Sequence, residues 1–268
     1  MGPMQKLVCL CFLGTPHLAL AQQCTPAALI PAYAHNDYRN SHPLQDALAL
    51  GFQGVEADYV MVNGELLVGH GRGDAMPGRT LEKLYLAPLR DRVDRCGWVQ
   101  GPRRPFLLTI EYKESGVQGY RALQELLTRY AAIIGNARRP GVVQVVLVGW
   151  HPPLREIAED SVHPTAVQAR VSNDGLTIPE GDRTLIGLVS LDYAKNIQWR
   201  GKGVLSEKDQ RTLAQIDSAR RILPGRLVRA YDVPAVASIY RMLLASGVDL
   251  IGSKDLKETA ALLGLERP

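Results

Sequence analysis

The chain has 268 residues, 46% of them hydrophobic and 22% charged, with a formal net charge of +4. That composition excludes an intrinsically disordered chain, and the lack of a three- or seven-residue period excludes collagen and coiled coil. Basic residues are scattered and form no block longer than a pair, so neither a nucleic-acid partner nor a membrane-surface patch is indicated.

The first residues read as an export signal. Lys6 precedes the apolar run 7–20, and Ala19-Leu20-Ala21 offers the small residues a signal peptidase accepts. Pro16 and His17 interrupt the run, which is too short to span a bilayer. We therefore expect a signal peptide at 1–21 and a single domain at 22–268, secreted or periplasmic, with no transmembrane segment after cleavage. Cleavage removes Cys9 and Cys11. In an oxidising compartment the remaining Cys24 and Cys96 are expected to form a disulfide, closing a loop of about seventy residues worth roughly 4 kcal/mol.

Short apolar runs then alternate with amphipathic stretches to the end of the chain. Strands are expected at 29–34, 54–60, 106–112, 142–149, 166–171, 185–190, 226–231 and 248–251. Helices are expected between them, at 43–50, 81–93, 119–134, 206–221, 234–246 and 254–263. Val62-Asn63-Gly64-Glu65 has the composition of a tight hairpin turn. Eight strands with intervening helices predict a closed (β/α)8 TIM-type barrel. A dinucleotide-binding sheet is disfavoured, because the first strand leads into Ala34-His35-Asn36-Asp37 rather than a glycine-rich turn.

In such a barrel functional groups gather where the strands end. Here the first strand ends in His35-Asn36, the second carries Glu56 and Asp58, the hairpin leads to His70, and the third carries Glu111 and Lys113. Positions i and i+2 share one face of a strand, so each of these strand pairs points to the barrel interior. Carboxylates inside apolar strands are costly unless paired or bound to a cation. Glu56, Asp58 and Glu111 offer the all-oxygen donor set that Mg²⁺ or Ca²⁺ prefers. His35 and His70 beside them suit displacement at phosphorus, one ring taking the proton of the attacking oxygen and the other protonating the leaving oxygen. Lys113 adds a fixed positive charge. Trp150-His151, Asp192 and Asp232 also follow strands at this mouth, Asp192 as a candidate substrate contact. Trp199, in a Gly- and Lys-rich loop, is a candidate pocket wall. His42, His151 and His163 adjoin prolines or loops, and the pairs Arg138-Arg139 and Arg220-Arg221 read as solvated helix ends.

Ala34-His35-Asn36-Asp37-Tyr38, Val55-Glu56-Ala57-Asp58, Glu65-Leu66-Leu67-Val68-Gly69-His70, Ile110-Glu111-Tyr112-Lys113, Trp199-x-Gly201-Lys202-Gly203 and Gly247-Val248-Asp249-Leu250-Ile251-Gly252 resemble the glycerophosphodiester phosphodiesterase and phospholipase C-like phosphodiesterase superfamily. The sequence is most similar to its secreted branch that includes the altered-inheritance-of-mitochondria type. The resemblance implies a TIM-type barrel with a divalent metal. It implies His35 and His70 as the acid/base pair, Glu56, Asp58 and Glu111 as metal ligands, and Lys113 as a phosphate contact; Asn36, next to His35, is a further candidate substrate contact. In many relatives of this kind a hydroxyl of the substrate attacks phosphorus and yields a cyclic phosphate. Asn36 and Gly71 depart from the Arg and Asp usual after the two histidines of glycerophosphodiesterases. The His-Gly pair is similar to sphingomyelinase D-like members. Ser253-Lys254-Asp255 stands where relatives often have Thr-Asp-Asp.

The expected activity is metal-dependent phosphodiester hydrolysis of a small-molecule or lipid-derived substrate. The rival expectation is a catalytically inactive, metal-binding barrel that serves as a binding or scaffold protein.

Overall fold

The computed structural model describes residues 24, 27–135, 138–159 and 165–264. The expected signal segment 1–21, with Cys9 and Cys11, and His163 lie outside the described residues. The strands are β1 (Ala32–Ala34), β2 (Gly54–Val62), β3 (Glu65–Val68), β4 (Phe106–Tyr112), β5 (Ile134–Gly135), β6 (Val143–Gly149), β7 (Ala166–Ser172), β8 (Gly175–Thr177), β9 (Ile186–Asp192), β10 (Leu227–Tyr231) and β11 (Leu250–Ser253). Of these, β1, β2, β4, β6, β7, β9, β10 and β11 pair in parallel in that order, and β11 closes on β1 with Ile251 opposite Ala32. Helices Ala87–Cys96, Val117–Thr128, Glu207–Ile222, Ala237–Ala245 and Leu256–Gly264 lie between strands. This is the closed eight-stranded parallel barrel that the alternation predicts.

Two hairpins rise from the ring. β3 folds back on β2, with Val62 opposite Glu65, around Asn63 (φ 50°) and Gly64 (φ 84°), whose left-handed backbone matches the strand twist. β8 folds back on β7, with Ser172 opposite Gly175. The helix expected at 119–134 stops earlier: it runs Val117–Thr128, and Ile134-Gly135 then pair with β6 as β5. Tyr130, Ile133 and Ile134 keep helical apolar spacing and are buried, but Ile134 is there as a strand partner of Val143. Arg220 and Arg221 lie exposed in the last turn of Glu207–Ile222, as expected, whereas Arg138 and Arg139 lie in a loop rather than at a helix end. Arg220 pairs with Asp249 at 2.9 Å, Arg138 donates to Ala158 O and Arg139 to Ala131 O.

Alternation sends Val55, Ala57 and Tyr59 of β2 outward into the main core beneath the helices. The inward face is different. Tyr33, Leu107, Val146, Ala166, Leu188 and Leu250 form a small apolar plug within the barrel. β9 bulges at Gly187, between the pairs Val167–Ile186 and Gln168–Leu188, where a Cβ would fall 2.6 Å from that of Ala166. Two residues further up, the inward positions turn polar: Leu107 gives way to Thr109, Ala166 to Gln168, Leu188 to Ser190 and Leu227 to Arg229.

Glu56 and Arg229 meet here, each 2% exposed, with Arg229 Nη1 2.7 Å from Glu56 Oε2. Tyr33 donates its hydroxyl to the same oxygen at 2.9 Å, and Arg229 Nε donates to Ser190 Oγ at 2.9 Å. The guanidinium also donates to the Tyr33 hydroxyl and lies between the Tyr33 and Tyr231 rings, 4.7 and 5.2 Å from their centroids. Burial alone would raise the Glu56 carboxyl. The Arg229 charge, with His35, outweighs it and holds the group well below the usual carboxylate range.

Cys24 and Cys96 are bridged across 72 positions, tying the start of the described chain to the end of helix Ala87–Cys96. Replacing both by serine should lower the unfolding free energy by about 2–4 kcal/mol in urea titration; an unchanged midpoint would show that the bridge constrains nothing. Replacing Arg229 by Leu strands a buried carboxylate and should lower it by about 3–5 kcal/mol. Adding Glu56→Gln to Arg229→Leu should recover a large part of that loss, and simple additivity of the two single effects would contradict the pairing.

Candidate active site

His35, Glu56, His70, Glu111 and Lys113 converge on a cavity of about 460 Å³ at the carboxyl ends of the strands. Asn36, Gln168, Arg170, Asp192, Arg229 and Asp232 complete much of its wall. A second cavity of about 490 Å³ opens at the opposite end of the barrel, over Leu107, Ile186 and Leu227, but no histidine lines it.

The chain after β1 is arranged by Asp37. Its buried Oδ2 accepts from Leu44 N at 2.6 Å and Tyr85 OH at 3.0 Å, fixing the turn Asp37–Arg39. Asn36 precedes it in the left-handed region, φ 54°, a conformation asparagine tolerates. His35 is thereby set just inside the mouth, its Nε2 3.2 Å from Glu56 Oε1 and its Nδ1 3.4 Å from Asp232 Oδ1. The same turn aims Tyr38 at the second carboxylate: its hydroxyl donates to Asp58 Oδ2 at 2.8 Å.

Asp58 is fully buried, and its Oδ2 also lies 3.0 Å from His70 Nδ1 and 3.7 Å from Lys113 Nζ. Its Oδ1 has no partner among the described residues. Burial, reinforced by the neighbouring Glu56, raises the Asp58 carboxyl above the usual range against the pull of His70 and Lys113. Lys113 Nζ stands 3.1 Å from Glu111 Oε1, bridging the two acids. Gly149, at φ +76°, borders Glu111, and a Cβ there would fall 2.8 Å from its Oε1. The carboxylate therefore occupies a space only glycine leaves open.

Glu56, Asp58 and Glu111 can bring one oxygen each to within 4.8 Å of one another. The unpartnered Asp58 oxygen and the glycine cradle at Glu111 fit a hard cation. Glu56 has only Oε1 to offer, because Arg229, Tyr33 and Thr109 occupy Oε2.

The remaining expected contacts fall differently. Asp192 lines the cavity, but Lys195 already engages both its oxygens, its backbone N–H donating to Oδ1 at 3.1 Å and its Nζ lying 3.0 Å from Oδ2. Trp199 is not among the lining residues. Its indole donates to Gly203 O at 3.1 Å and its carbonyl accepts from Tyr193 OH at 2.6 Å, which pins the loop 197–205. His42 is exposed beside Asp46, in a loop as expected, and His151, which the sequence leaves equally open to a loop role and a substrate contact, is not among the lining residues, its Nδ1 lying 2.8 Å from Pro152 O. Tyr38, Gln168, Arg170 and Arg229 were not anticipated. Gln168/Arg170 and Arg229/Tyr231 are polar i, i+2 pairs within apolar strands, the same signal that marked Glu56/Asp58.

Residues 22–128 match the AIM6-like phosphodiesterase domain family. Over 85% of its length the chain is 43% identical to altered inheritance of mitochondria protein 6 of Eremothecium gossypii, covering 68% of that protein. Over 150 residues it is 31% identical to the homolog from Arthroderma benhamiae and spans 48% of that relative's length. A solved structure described as a putative glycerophosphodiester phosphodiesterase from Galdieria sulphuraria superposes with a TM-score of 0.52 at 15% identity, over 87% of this chain and 98% of that one, a likeness of fold. With a matching domain at its start and a homologous protein aligned along most of its length, the chain belongs to the AIM6-like phosphodiesterase family.

Proposed function

We propose that this protein is an exported, metal-dependent phosphodiesterase acting on phospholipid-derived or related phosphodiesters. The observation that carries the reading is the convergence in one polar cavity of two histidines, each tied to a buried carboxylate, with an all-oxygen cluster beside them. Export is supported by the signal-like pattern at 1–21 and by the disulfide.

Asp58 accepts from His70 Nδ1, which leaves Nε2 of that half-exposed ring free to exchange a proton with a substrate oxygen. His35 Nε2 lies 3.2 Å from Glu56 Oε1, while its buried Nδ1, 3.4 Å from Asp232 Oδ1, makes no hydrogen bond among the described residues and is the nitrogen left to exchange a proton. One imidazole removes the proton of the attacking oxygen, and the other supplies a proton to the leaving oxygen. Lys113 offers a fixed positive charge to the non-bridging phosphate oxygens. Glu56, Asp58 and Glu111 would hold Mg²⁺ or Ca²⁺, whose charge would stabilise those same oxygens as the displacement proceeds. The nucleophile is water or a hydroxyl of the substrate, giving an open or a cyclic phosphate respectively.

His35→Ala and His70→Ala should each lower turnover of a glycerophosphodiester by roughly 10²–10⁴-fold with the circular dichroism spectrum unchanged. The variant lacking the acid should lose much less against bis-p-nitrophenyl phosphate, whose leaving group needs no proton. EDTA should abolish activity and Mg²⁺ or Ca²⁺ restore it. Unaltered turnover in both variants would sink the mechanism. Metal binding without hydrolysis of any phosphodiester tried would favour the scaffold alternative.

A further inference from the structure

The charge of the cavity wall exceeds what a simple phosphodiester needs. Six cationic side chains line it against four carboxylates, before any bound cation is added. Lys113, Lys195, Arg229 and Lys254 are each within ion-pair distance of a carboxylate. Arg39 and Arg170 are not, among the described residues. Arg39 follows β1 on the histidine side, beside the Tyr38 ring. Arg170 stands elsewhere: β7 lies four strands from β1 in either direction around the ring, diametrically across the mouth from His35.

Arg170 is aimed inward by the register of its strand. Ala166, Gln168 and Arg170 share the inner face of β7, and the first of them belongs to the apolar plug. Thr177 of the second hairpin pairs with Arg170, supporting the backbone there. With the Gln168 amide in the orientation that satisfies both its ends, its carbonyl accepts from Arg170 Nη2 at 3.2 Å and its NH2 donates to Ser190 Oγ at 2.8 Å, which would orient the guanidinium. An exposed guanidinium that has no carboxylate partner among the described residues and borders a polar cavity is a receptor for a planar or tetrahedral anion.

We infer that Arg170 is a specificity-determining residue that binds a second anionic group, a carboxylate or a phosphomonoester, on the alcohol portion of the substrate. The inference rests on the phosphodiesterase reading above and narrows its substrate class. With the scissile phosphate on the side of His35, His70 and the carboxylate cluster, the far end of the substrate reaches the β7 wall. A substrate whose head group carries only a cation would leave Arg170 facing like charge.

The test uses matched pairs with the full-length protein and Mg²⁺. Glycerophosphoserine is compared with glycerophosphoethanolamine, which differs by one carboxylate, and glycerophosphoinositol phosphate with glycerophosphoinositol. Turnover is followed with the wild type, and binding by calorimetry with His35→Ala. At least one anionic member should be preferred by about tenfold or more in kcat/KM and in affinity. Arg170→Ala should bring that ratio close to one, and Arg170→Lys should restore part of it. Preference within the first pair alone identifies a carboxylate, and within the second alone a phosphomonoester. Turnover without preference, or a preference that survives Arg170→Ala, overturns the inference and leaves the phosphodiesterase reading intact. A binding preference that depends on Arg170 without turnover of any compound keeps the anion site and removes the hydrolytic reading. Neither binding nor turnover overturns both.

Discussion

A carboxylate and a guanidinium buried together inside the barrel are the constraint around which the mouth is organised. Neither Glu56 nor Arg229 could be placed there alone, since an unpaired charge at 2% exposure costs several kcal/mol. Together they require polar neighbours, and the surrounding strands supply them: the hydroxyls of Tyr33, Thr109 and Ser190 all lie within 3.5 Å of one of the two side chains. The pair thus marks the level at which the interior changes from an apolar plug to an ionic site. Its free oxygen, Glu56 Oε1, is the one that meets His35. The position of a proposed catalytic ring is thus set jointly by the buried pair and by the Asp37 turn that follows β1.

The next level repeats the logic in a more open setting. Asp58 shares one oxygen among Tyr38, His70 and Lys113 and leaves the other without a partner, while Glu111 sits in the space beside Gly149. The two hairpins extend the wall on different sides of the ring. β2–β3 delivers His70 to the carboxylate cluster, and β7–β8 backs Arg170 on the far side. On the proposed reading the cavity has a reacting side and a recognition side, built on separate strands. Substitution of Arg170 is therefore expected to alter what is bound more than the groups placed to move protons.

Much of this was legible in the chain because barrel strands impose a period of two. Glu56/Asp58 and Glu111/Lys113 announced themselves as same-face charges in apolar runs, and the parallel strand 106–112 was placed to the residue. Arg229/Tyr231 and Gln168/Arg170 follow the same pattern, but an arginine near a strand end can extend to solvent, and only closure of the ring gives Arg229 a partner 173 positions away. The second hairpin had a signal in Asn173-Asp174-Gly175, comparable to the Asn-Gly pair that marked the first. The helix after β4 was overextended because Tyr130, Ile133 and Ile134 continue its apolar spacing into the same core, although Ile134 is already paired with Val143 in the sheet. Trp199 was drawn toward the pocket by its neighbours in sequence, whereas its hydrogen bonds hold it in its own loop.

Family membership and barrel fold rest on homology along most of the chain, and the chemistry rests on side-chain geometry at the mouth. The most direct test of that chemistry is a phosphorus NMR time course of a glycerophosphodiester with the wild-type protein and Asp58→Asn, in Mg²⁺ and in Ca²⁺. The account predicts that the wild type converts the diester signal to a phosphomonoester or cyclic phosphate and that a folded Asp58→Asn protein does not. A diester signal unchanged by the wild type with either metal, or one consumed equally by both proteins, would contradict it.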